Sequence, residues 1–190
     1  MTETKNIQLT DARQNDGEPV EYDVAVVGGG LAGLALSIQL ANQGHKVILF
    51  EKEQYPFHKV CGEYISFESW DFLVSLGLDL KAMNLPAISS LQVSSVNGKL
   101  LEQKLPLGGF GISRFLLDHH LFQIACEVGV IVKENTKVND IFFDQPGFSI
   151  DTSQAKYTAK LVCGSFGKRS NIDIKWKRKF SMAAKSKLNN

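Results

Sequence analysis

The run Tyr22-Asp23-Val24-Ala25-Val26-Val27, followed directly by Gly28-Gly29-Gly30-Leu31-Ala32-Gly33, leaves this chain few ways to fold. A valine-rich stretch reads as a buried strand, and three glycines in G-x-G-x-x-G spacing read as a turn. The apolar residues after them read as a helix starting near Leu31. Gly28 permits the tight turn, Gly30 lets backbone amides approach a pyrophosphate, and Gly33 lets the helix pack closely on the strand. A diphosphate bound there would sit on the positive end of the helix, with Leu31 and Ala32 in its first turn as candidate contacts.

The surroundings support that reading. Leu34, Ala35, Leu36, Ile38, Leu40 and Ala41 continue an apolar helix, and Gly44 suits its C-terminal cap. Val47-Ile48-Leu49-Phe50 has the composition of a short, fully buried parallel strand. Glu51 closes it, 23 residues after Gly28, where a carboxylate can accept both hydroxyls of an adenosine ribose and repel a 2′-phosphate. That favours FAD or NAD over NADP. By hydropathy alone residues 24–41 could pass for a membrane span, but turn-spaced glycines and a matched acidic residue argue for a βαβ unit.

A long irregular segment, residues 51–66, follows the second strand, and loops of this length in compact domains are usually functional. Its Lys59-Val60-Cys61-Gly62-Glu63 core, after Pro56, resembles the cofactor loop of FAD-dependent oxidoreductases of the geranylgeranyl reductase type. That group is related to aromatic-ring monooxygenases and flavin-dependent halogenases. The resemblance implies an FAD-binding, Rossmann-like α/β fold with a parallel sheet and a small antiparallel meander. It also implies NAD(P)H as reductant and a small, apolar substrate. By the same resemblance Cys61 and Gly62 lie beside the flavin, and Lys52 and Lys59 join Glu51 as candidate cofactor contacts. Taken from residue type alone, Cys61 more commonly packs as a small apolar side chain under a loop.

Two further segments resemble the same group. Phe110 to Asp118 opens a helix that runs on to Val128, with Ser113 as N-cap and Gly129 just past its end. Its Arg-x-x-Leu-Asp spacing is similar to that of monooxygenase-like flavoproteins, which implies that Arg114 lies close to FAD. The forked guanidinium suits phosphate. Asp118, His119 and His120 read as a solvated helix face. Residues 159–170 read as a buried strand entering a glycine turn, in which Gly164, Gly167 and Ser170 match Gly-x-Asp-Gly-x-x-Ser of the monooxygenases. Phe166 stands in place of the aspartate, which suits the reductase-like branch better than the ring hydroxylases.

Elsewhere, Phe67 to Leu76 has a helical pattern, and Ile88 to Leu105 alternates as two strands around Asn97-Gly98, a strong hairpin signal. Val130 to Val132, Val138 to Phe143, Gly147 to Ile150 and a segment near Tyr157 read as short strands, the last three forming the meander. A net charge of +1 with 22% charged residues points to a cytoplasmic enzyme domain and gives no reason to expect nucleic acid. Cys61, Cys126 and Cys163 fit reduced thiols, and no spacing resembles a metal site. Residues 1–20 read as a flexible arm with no signal peptide, 21–170 as the cofactor domain, and 171–190 as the start of further structure. Eight lysines and arginines between Lys168 and Lys187 leave peripheral membrane contact open.

The resemblance covers about residues 22–180, the N-terminal half of such enzymes. Two functions follow as expectations: a flavin-dependent oxidoreductase, reducing alkenes or activating oxygen, or a catalytically inactive dinucleotide-binding fragment. A complementary C-terminal half is the partner expected of either, and its absence would leave apolar faces exposed.

Overall fold

The computed structural model describes residues 21–61 and 63–167, so expectations for residues 1–20, for Gly62 and for residues 168–190 lie outside the described residues. The chain forms β1 (Glu21–Val27), α1 (Leu31–Asn42), β2 (Val47–Phe50) and β3 (Tyr64–Ser66). A 3₁₀ turn at Phe67–Ser69 then leads into α2 (Trp70–Ser75). Next come β4 (Ala87–Ser94), β5 (Leu100–Gly111), α3 (Arg114–Glu127), β6 (Ile131–Lys133), β7 (Val138–Asp144), β8 (Gly147–Thr152) and β9 (Lys156–Gly164).

Six strands form one sheet in the order β6-β2-β1-β9-β8-β7. The first four are parallel, with Val24 opposite both Val47 of β2 and Leu161 of β9. In chain order the parallel strands run 3-2-1-4, the doubly wound arrangement, and the order reverses between β1 and β9. Alternation along β1 explains its burial on both faces. Val24 and Val26 pack with Leu34 and Ile38 of α1 and Leu117 and Leu121 of α3. Ala25 and Val27 pack with Ile48 and Phe50, and with Ile141 and Ile150 of the meander. Each fully buried leucine or isoleucine here contributes about 2 kcal/mol by leaving water.

The meander and the last parallel strand share one element. The strand expected near Tyr157 and the strand expected at 159–163 are both β9, which pairs antiparallel with β8 and parallel with β1. One departure concerns residues 64–66, expected to be irregular, which pair with Gly109 to Gly111 to close a second sheet, β3-β5-β4. Phe110 and Gly111 therefore end a strand rather than open a helix. Phe110 is buried against Trp70, and the helix begins only after Ser113, whose Oγ accepts the Leu116 N–H at 3.2 Å. Among the described residues no helix is long and apolar enough to cross a membrane. The stretch 24–41 is a strand, a turn and most of a 12-residue helix.

Candidate functional site

The carboxyl ends of β1, β2 and β9 open into a cleft of about 1110 Å³, where the strand order reverses. Gly28, Gly30, Glu51, Lys59, Ser165 and Phe166 are among its lining residues. Gly28 takes a φ of +106°, which a side chain would strain, and a Cβ there would lie 2.7 Å from the Ser165 carbonyl. Gly33 faces inward: a Cβ would run into the Gly28 carbonyl oxygen and stand 2.6 Å from Ser165 Oγ. Gly30 faces open space, where the nearest atoms to an added Cβ are Lys59 Nζ at 3.7 Å and Arg114 Nη2 at 4.0 Å.

The start of α1 is electropositive. Gly30 is its N-cap, so no side chain caps the first-turn amides, and that turn holds no acidic residue. Uncapped amides and the helix dipole leave positive potential at this point. Two cations reinforce it. Arg114 Nε and Nη2 donate to Asp118 Oδ1 and Oδ2 at 2.7 and 2.9 Å, and Lys59 Nζ reaches Asp118 Oδ2 at 3.2 Å. Lys59 also sits 4.4 Å over the Phe57 ring, while His58 stacks on Phe115 of α3 at 4.6 Å, which fastens the loop to the helix. Burial works against the Arg114 charge, but its hydrogen bonds and ion pair with Asp118 outweigh that and raise its pKa. One carboxylate between two cations leaves a net positive charge beside Gly30.

Glu51 lines the same cleft and is 6% exposed. Its Oε2 accepts the Gly29 N–H at 2.9 Å and its Oε1 accepts the Glu53 N–H at 3.1 Å. Each carboxylate oxygen has a second lone pair, so two acceptor positions remain for hydroxyls. Open space at Gly30, free helix amides, two cations and a buried carboxylate one strand away fit the charge pattern of a dinucleotide.

The other expected residues distribute unevenly. Lys52 lies at the rim of the cleft, paired with Glu53 at 3.6 Å and mostly exposed. Cys61 is exposed and its Sγ accepts the Glu63 N–H at 3.5 Å. Leu31 and Ala32 line a separate apolar groove of about 590 Å³, with Tyr64, Phe72 and Leu117, and neither lines the cleft. Phe166, in place of an aspartate, lines the cleft and packs with the core beneath the meander. Asp118 is corrected outright. It is 1% exposed and forms the centre of the cation cluster, while His119 and His120 are half-buried rather than solvated.

Three residues of the site went unrecognised in the sequence. Asp118 stands four residues after Arg114, so both share one helix face, and that spacing was legible as an ion pair. Tyr55 and Ser165 bond the glycine turn from behind, through contacts across 26 and 137 residues that leave no local pattern. Among the described residues no three His, Cys, Asp or Glu side chains gather as a metal site.

Residues 23–59 match the family model described as an FAD binding domain. Conditioned medium factor receptor 1 of Dictyostelium discoideum is 31% identical over 138 residues, covering 65% of this chain and 27% of that protein. A digeranylgeranylglycerophospholipid reductase of Methanocella arvoryzae is 28% identical over 174 residues, covering 86% of this chain and 39% of the reductase. The chain thus spans between 27% and 39% of the length of these two relatives. Among solved structures, p-nitrophenol 4-monooxygenase PnpA from Pseudomonas putida superposes with a TM-score of 0.71 at 21% identity, over 80% of this chain and 43% of that one. The fold is that of the FAD-binding domains of flavin-dependent enzymes.

Proposed function

We propose that residues 21–170 hold FAD as the cofactor domain of a flavin-dependent oxidoreductase acting on an apolar or aromatic small molecule, with NAD(P)H as reductant. The observation that carries this reading is the pairing of an uncapped α1 N-terminus, flanked by Lys59 and Arg114, with a buried Glu51 in one cleft. The FAD binding domain match over residues 23–59 supports FAD over NAD. Bound flavin would supply the redox chemistry, either reduction of an alkene or activation of oxygen. This chain's residues bind and orient it. Gly30 leaves room for the pyrophosphate, and Lys59 and Arg114 neutralise its charge. Glu51 accepts the adenosine ribose hydroxyls, and the loop bearing Cys61 and Gly62 borders the flavin.

The test is a visible absorption spectrum of the purified chain after FAD is added and the excess removed. The expected result is a retained oxidised-flavin spectrum, with affinity weakened by roughly 1–3 kcal/mol in Glu51→Gln as ribose hydrogen bonds are lost. Glutamine is preferred to alanine because it can still accept a bond from the Gly29 amide. A folded protein that is colourless once the excess FAD is removed would overturn the reading and leave an inactive fragment.

A further inference from the structure

The two peptide units within Gly28-Gly29-Gly30 carry four polar groups, and three of them are bonded from inside the protein. The Gly29 N–H donates to Glu51 Oε2 at 2.9 Å, the Gly28 carbonyl accepts from Ser165 Oγ at 2.6 Å, and the Gly29 carbonyl accepts from the Tyr55 hydroxyl. The fourth, the Gly30 N–H, has no hydrogen-bond partner among the described residues. The Gly29–Gly30 peptide is trans, and a planar trans unit points its carbonyl and its N–H in opposite directions. Anchoring the Gly29 carbonyl on Tyr55 therefore turns the Gly30 N–H away from the ring. Gly30, unlike Gly29, lines the cleft.

Tyr55 is itself tightly held. It is 6% exposed, its ring stacks on Phe122 of α3 at 4.6 Å, and its own N–H donates to Glu134 Oε1 at 2.6 Å. A Cβ on Gly29 would run into the Tyr55 hydroxyl, so the glycine and the tyrosine require each other. Burial first, and then the Glu51 charge, push the phenol's pKa well up, so the hydroxyl keeps its proton and remains a donor.

We propose that Tyr55 is a positioning residue of the glycine turn, fixing the Gly29–Gly30 peptide so that the Gly30 N–H donates to the diphosphate of a bound nucleotide. The identity of that nucleotide as FAD rests on the reading above; the diphosphate chemistry does not.

The experiment compares the wild-type chain with Tyr55→Phe, which keeps the ring stack and removes only the hydroxyl. ADP, adenosine and FAD are titrated by calorimetry, and the Gly29 and Gly30 amides are followed by ¹H–¹⁵N spectra. Loss of one hydrogen bond that orients the turn should weaken ADP about fivefold. Adenosine affinity should be unchanged. Equal ADP affinity in the two proteins, or equal losses for ADP and adenosine, would overturn the proposal. The wild-type spectra test it even if the variant does not fold: ADP should move the Gly30 amide far more than the Gly29 amide, and equal shifts would overturn it. ADP binding that depends on Tyr55, with no FAD binding, would sink the FAD reading and keep the role of Tyr55. FAD binding that ignores Tyr55→Phe would do the reverse, and binding of neither ligand would remove both.

Discussion

The cleft at the β1–β9 junction and the β4–β5 hairpin differ in how far each buries its apolar side chains and pairs its polar groups. Around the cleft, Val24 to Val27 are buried on both faces, and three of the four turn polar groups are bonded from within. Along the hairpin, Leu91, Val93, Leu100, Leu101 and Leu107 are all at least half exposed. Val93 pairs with Leu101, so Leu91, Val93 and Leu101 share one face, while Leu100, opposite Ser94, points to the other, and all of them stay at least half exposed. The difference separates what local sequence can complete from what needs a covering layer. A strand-turn-helix closes its own hydrogen bonds and core, whereas a two-stranded ribbon has no second layer to bury its apolar face.

The largest effect that would break this contrast is expected at Gly33. Gly33→Ala drives a methyl group into the Gly28 carbonyl, and Ser165 Oγ, held by the Val27 and Gly28 carbonyls, closes the other side. A loss of about 3 kcal/mol in denaturant unfolding is expected, at the upper end for overpacking. A loss below about 0.5 kcal/mol would mean the turn is looser than its contacts imply. Next is Asp118→Ala, which leaves Lys59 and Arg114 facing each other without a counter-charge. Both cations are only partly buried, so a cost of about 2 kcal/mol is expected, below that of a fully buried pair. Raising salt should recover part of that loss by screening the repulsion, and an unfolding midpoint insensitive to salt would count against the charge argument.

Gly30→Ala sharpens the comparison within the turn itself. Here an added methyl group meets only the ends of two flexible cations. Stability should fall by less than about 1 kcal/mol, the difference between glycine and alanine at an N-cap. FAD affinity should fall about tenfold, as the methyl group occupies the space proposed for phosphate. Undiminished FAD affinity would remove Gly30 from the binding site while leaving its cap role intact.

These positions also show what the sequence made legible. The βαβ unit, the meander, the turn at Gly28 and the close packing at Gly33 are local, set by alternation and turn spacing, and each could be read in a window of about thirty residues. Tyr55 and Ser165 could not, because their bonds to the turn depend on how a loop and a distant strand return to it. Asp118 was legible in part: its spacing from Arg114 marks an ion pair, but its burial is not local. On a helix face an acidic residue is usually solvated, and only the loop carrying Lys59, folded over α3, makes it a buried counter-ion. Strand β3 was hidden inside an irregular-looking segment because three residues carry too little periodicity to register.

The smallest effect belongs to the hairpin. Leu91→Thr removes apolar surface already half in water, introduces a strand-favouring β-branched side chain, and should change stability by less than about 0.5 kcal/mol. Amide exchange should agree, with β4 and the outer half of β5 exchanging much faster than β1 and β2, because few buried contacts protect them. If Leu91→Thr instead costs 2 kcal/mol or more, or the β4 amides exchange as slowly as those of β1, the exposed face is covered in solution. The hairpin would then be as complete as the cleft, and the layer that completes it would have to come from another surface, since none of the described elements packs over it.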